Sequence, residues 1–68
     1  MNKETIKAFI SWLESASYEE IIEHKKNVLA SLADISSPSG KSDVKLALRL
    51  IDEEILARLE LGQKFQSR

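Results

Sequence analysis

The 68-residue sequence predicts a small all-α protein: a short N-terminal helix followed by an antiparallel helical hairpin. Three observations carry this. Apolar residues recur at three- and four-residue steps, and no stretch alternates apolar and polar strictly enough to read as a strand. The strand formers Thr, Tyr and Val are scarce. Of the two glycines and one proline, Pro38 and Gly40 sit together inside Ile35-Ser36-Ser37-Pro38-Ser39-Gly40-Lys41-Ser42, the one clear loop signal.

The first helix is expected over about residues 3–15. Asn2 can cap it and Glu4 stands near the positive end of its dipole. Ile6, Phe9, Ile10 and Leu13 share one face, with Trp12 beside them. The second helix, about 18–33, has a sharper start. Ser17-Tyr18-Glu19-Glu20 fits the capping box, in which serine and glutamate satisfy each other's orphan amides. That cap is the reason to break the chain near Ser15–Ser17 rather than draw one long helix. Ile21, Ile22, Val28, Leu29 and Leu32 form its apolar stripe. A loop is expected over about 35–41, then a third helix over about 42–61. Ser42 is its expected N-cap, Gly62 its C-terminal stop, and residues 62–68 a basic tail. The whole reads as a single domain.

The third helix carries the most information. Of its 20 residues Ser42–Leu61, 11 are apolar. Val44, Leu48, Ile51, Ile55 and Leu59 form one stripe, expected to hold the intramolecular core. A second row, Leu46, Leu50, Ala57 and Leu61, lies roughly 120–160° away at about 100° per residue, with Ala47 between. A stripe this wide suits a helix covered on two sides. The first helix is too short to cover the second row along its length, and an open row of leucines exceeds what monomers usually expose. The expectation is therefore a homodimer built through the third helix. Its interface residues would be Leu46, Leu50, Ala57 and Leu61, with Trp12 as an anchor. The competing arrangement is a closed three-helix monomer, in which the first helix covers the second row; Trp12 and Tyr18 would then close the end of a small core.

Composition limits the chemistry. A domain this short buries only about 60% of the surface its unfolded chain exposes. With no cysteine and one histidine, neither a disulfide nor a metal cage reinforces it, and no metal or cofactor is expected. Ten Lys and Arg against eleven Asp and Glu leave a formal charge of −1, which argues against a phosphate-binding surface. No apolar run reaches membrane-spanning length, and the N-terminus does not read as a signal peptide, so a cytoplasmic protein is expected.

Three motifs invite a chemical reading, and each has a simpler one. His24 has Glu20 and Glu23 nearby, but the Glu-x-x-His spacing of di-iron bundles places Ile21 where the glutamate belongs. A solvated histidine on an acidic helix face is expected. Asp52-Glu53-Glu54 is an acidic run whose carboxylates point about 100° apart, so they do not converge on one substrate. At most they form an acidic patch for a basic partner, and ion pairs Arg49–Glu53 and Glu54–Arg58 are expected among them. Gly40-Lys41-Ser42 has the end of a phosphate loop, but the glycine required five residues earlier is Ile35 and no strand precedes it.

The outline, a short acidic helical hairpin with a Ser/Pro/Gly loop, is similar to that of the small helical chaperones of secretion systems. The two-helix phosphatases of sporulation phosphorelays share it too, but carry a Ser-Gln-Glu-Leu-Asp signature. Leu48-Arg49-Leu50-Ile51-Asp52 keeps only the aspartate and the aliphatic before it, so no residue roles carry over. The function expected is non-catalytic: a protein–protein interaction module or regulatory adaptor whose partner is itself, or a protein with a basic or apolar surface. One alternative is a nucleic-acid-associated regulator from a phage or plasmid, using Lys3, Lys7, Lys64 and Arg68. The other is a small secretion chaperone.

Overall fold

The computed structural model describes the backbone of residues 2–66 and the side chains of residues 2–61. Within it the chain forms α1 (Lys3–Ser15), α2 (Tyr18–Leu32) and α3 (Pro38–Gln66), with no strand among the described residues.

The expected caps of the first two helices are in place. The Thr5 amide donates to Asn2 Oδ1 at 2.8 Å. At α2 the box is complete: the Glu20 amide donates to Ser17 Oγ at 3.1 Å, and the Ser17 amide donates to Glu20 Oε1 at 2.9 Å. Ala16 and Ser17 are both extended, so the chain turns between α1 and α2 without a glycine.

The ends of α3 differ from the expected 42–61. The helix starts at Pro38, four residues before Ser42, and Ser37 rather than Ser42 caps it. The Gly40 amide donates to Ser37 Oγ at 3.1 Å, and the Lys41 amide donates to the Ser37 carbonyl at 3.1 Å. Proline suits the first helical position, where its missing N–H is not needed and its φ is already helical. A Cβ on Gly40 would lie 2.7 Å from Ile35 Cγ2 and 2.8 Å from Ser37 Oγ, so glycine is needed there for close packing. At the other end the helix runs through Gly62 to Gln66. An interior glycine costs only about 1 kcal/mol relative to alanine, and the glutamines and lysine that follow are good helix formers. The expected side-chain roles of the 62–68 tail lie outside the described residues.

The core is small. Leu13 and Ala16 from the end of α1, Ile21 from α2 and Ile51 from α3 form the buried cluster, flanked by Phe9, Trp12, Leu50 and Ile55. Ile21 and Ile51 are fully enclosed, and Ala47 is also buried. Val44, Leu48 and Ile55 of the expected core stripe are half-buried. Leu59 is not in the core: it is 52% exposed. The α2–α3 hairpin is antiparallel with Lys25 against Asp52, so Leu59 lies opposite the first residue of α2 and nothing further along that helix reaches it.

The length mismatch shapes the molecule. At about 1.5 Å per residue, α3 is roughly 43 Å long, whereas α1 and α2 are each only about 20 Å. The Cα envelope is 48 × 24 × 16 Å, with a radius of gyration of 13.6 Å. A compact chain of this length would have about 11 Å.

Candidate functional site

The first assembly of polar groups is a clamp centred on Arg58. Its Nε donates to Glu54 Oε2 at 2.8 Å, while Nη2 donates to the carbonyls of Leu13 at 2.8 Å and Ala16 at 2.7 Å. These carbonyls close α1, where the helix dipole is negative and the last C=O groups lack helical partners. Both Arg58 and Glu54 side chains are about one-quarter exposed. The Glu54–Arg58 pair is thus more than a surface pair of one helix: it ties α3 to the α1–α2 turn.

That clamp divides the acidic run. Glu54 turns inward to Arg58. Asp52 pairs with Lys25 of α2 at 2.7 Å, and Glu53 lies 3.9 Å from Arg49. The three carboxylates therefore face three partners, as their spacing on a helix requires.

The second assembly is aromatic. Phe9 and Trp12 stack with ring centroids 6.0 Å apart, and His24 lies against both, 4.9 Å from Trp12 and 5.6 Å from Phe9. His24 is half-buried rather than solvated as expected. Its helix turns it toward α1, where Phe9 and Trp12 are the largest neighbours. An open depression of about 420 Å³ is lined by Trp12, His24, Glu19, Glu20, Glu23 and Asn27. Glu20 is held below the ordinary carboxylate range by the hydrogen bond from the Ser17 amide and then by the Ser17 side chain. Among the described residues no three His, Cys, Asp or Glu side chains converge in a way that could hold a metal ion.

The expected interface residues separate. Leu50 is half-buried on the core cluster, and with Ile10, Leu13, Glu14, Glu53 and Glu54 it lines a shallow depression of about 210 Å³. Trp12 is half-buried in the aromatic stack, and Leu46 is half-buried as well. Ala57 and Leu61 are exposed, Leu61 by 57%. α1 thus covers the second row only around Leu50, as its length allows.

Sequence reasoning missed Leu56. It belongs to neither row, and among the described residues it is the second most exposed large apolar residue at 56%. Tyr18 and Leu29 are each 48% exposed. Leu29 lies on the apolar stripe expected of its helix.

No helix among the described residues is long and apolar enough to cross a membrane. No family model, curated protein or solved structure matches the chain.

Proposed function

We propose that this protein is a non-catalytic protein–protein interaction module that works as a homodimer associating through its third helix. The observation that carries the reading is surface area. The chain leaves 5257 Å² accessible to solvent. A compact monomer of 7.7 kDa would leave about 4,300 Å². The excess, about 900 Å², is close to the roughly 800 Å² per partner of a standard protein interface. Part of it is apolar and lies on α3, where Leu56, Leu59 and Leu61 are each more than half exposed. Enzyme sites are usually enclosed clefts with convergent polar groups. Both depressions described above are open to solvent, and the acidic run is split among separate partners, which favours contact over chemistry.

Sedimentation equilibrium on the purified chain tests the proposal. The expected result is a mass that rises with concentration toward twice 7.7 kDa. A single monomeric species up to millimolar concentration would overturn it.

A further inference from the structure

The uncovered apolar residues are not scattered evenly, and their placement selects one face. At about 100° per residue, Leu48, Asp52, Leu56 and Leu59 fall within roughly 80° of one another around α3. Around α2, Tyr18, Ile22, Lys25 and Leu29 fall within roughly 60°. The 2.7 Å contact between Lys25 and Asp52 puts these two arcs on the same flank of the hairpin. The α1-contacting residues Leu50 and Glu54 each lie about 160° from Asp52 around α3, so this flank points away from α1. Of the six large apolar residues exposed among the described residues, four stand on it: Tyr18, Leu29, Leu56 and Leu59. Each leaves about half of itself in water. Together they make a patch of the few hundred Å² that on monomers often marks a binding surface.

Resting on the homodimer reading above, we infer that the α2–α3 flank, and not the Leu46–Leu50–Ala57–Leu61 row, is the surface on which a second copy docks. Two physical arguments favour a second copy over another occupant. The chain as a whole exposes more surface than a compact monomer by about one half of a standard interface, and the flank's apolar residues supply a few hundred Å² of it. At its centre the flank carries one cation and one anion, Lys25 and Asp52, a pair that a second copy can match, while the exposed Lys41 and Lys45 share the α3 arc toward the start of that helix. A two-fold axis passing beside that pair sets Lys25 of each copy within reach of the partner's aspartate, as an isologous contact requires. The two hairpins then form a four-helix layer with α1 on the outside of each. The ion pair, 33% and 59% exposed in the single chain, becomes the polar centre that sets the register.

The neighbouring residues Leu56 and Ala57 supply the test, because they sit at the same height on α3 but about 100° apart. Leu56→Glu should raise the dimer dissociation constant at least about 100-fold, since each dimer loses two buried leucines. Ala57→Glu should leave it within about threefold. The chain has no cysteine, so single cysteines can be introduced for spin labelling without other changes. In the dimer the inter-copy distance between labels at Lys26→Cys should be shorter than that at Glu14→Cys by at least about 10 Å, one interhelix spacing. Labels keep the inference testable if Leu56→Glu disturbs helicity. A dimer broken by Ala57→Glu and not by Leu56→Glu, or by neither, overturns the choice of face and leaves the homodimer standing. So does a Glu14 distance shorter than the Lys26 distance. A wild-type chain that never dimerises overturns both.

Discussion

Replacing Arg58 by alanine should cost a large share of the stability of this protein. The side chain makes three charge-assisted hydrogen bonds, to Glu54, to the Leu13 carbonyl and to the Ala16 carbonyl. Hydrogen bonds to charged groups contribute about 1.5–3 kcal/mol each when buried. Here the guanidinium is one-quarter exposed, and water can reach part of what it leaves behind. A loss of about 2–3 kcal/mol is the reasonable total. For a domain of this size each kcal/mol moves Tm by roughly 4–8 °C, so Tm should fall by about 10–20 °C. Arg58→Lys should recover little of that, because one ammonium lacks the planar fork that reaches two carbonyls and a carboxylate at once. Glu54→Gln should cost less than about 1 kcal/mol, since the carbonyl bonds of Arg58 survive. The assay is thermal unfolding by circular dichroism at one fixed chain concentration, because dimerisation makes Tm concentration-dependent. If Arg58→Ala melts within about 2 °C of wild type, the clamp does not hold α3 to the α1–α2 turn.

Gly40→Ala should destabilise by about 1 kcal/mol or more in chemical denaturation, although alanine is the better helix former. The added methyl would push the stiff, β-branched Ile35 or the Ser37 oxygen that caps α3, and a variant as stable as wild type would contradict that packing. Ile51→Val should cost about 1 kcal/mol and Ile51→Ala about 2–5 kcal/mol, enough to leave Ile51→Ala largely unfolded in a urea titration. Stability should also depend on acid through Glu20. Its folded pKa is lowered from the usual 4.5, so its contribution is fully present above pH 4.5 and is lost as pH falls through the lowered value. Glu20→Gln should flatten the stability–pH profile in that acidic window, and an unchanged profile would argue against the carboxylate as the cap.

Local sequence was a good guide where structure is decided locally. Asn2, Ser17 and Glu20 announce helix starts because a cap involves residues three apart, and all three do so here. Pro38 misled for a local reason as well. Ser37-Pro38 reads equally as a turn or as a cap followed by the first helical residue, and Gly40 tipped the reading toward a loop. Its actual role, room for Ile35 and the Ser37 hydroxyl, depends on how the preceding segment folds back. The apolar rows were legible as angles around α3 but not as partners. Angle alone put Leu59 with Ile51 and Ile55, yet α2 begins opposite it and leaves it half in water. The same wheel sets Leu50 aside for a partner, while in the fold it packs against the buried cluster of Leu13, Ala16, Ile21 and Ile51. Leu56 fits neither row, although it belongs to the flank that α2 and α3 build jointly. That flank could not be drawn from either helix alone.

By itself, then, the sequence determined the helical class, the break at Ser17 and the presence of more apolar surface on the third helix than a short partner covers. Periodicity and capping are properties of neighbours within a few residues, and they survive without knowledge of the fold. The tertiary structure decided what those residues touch. It turned the Glu54–Arg58 pair into a clamp on the carbonyls of Leu13 and Ala16, folded His24 against Trp12, and brought Tyr18, Leu29, Leu56 and Leu59 to one side of the hairpin. The physical reason is the relative length and placement of the helices. Burial of a side chain depends on whether another helix extends far enough to meet it, and that distance is written in no single segment of the chain.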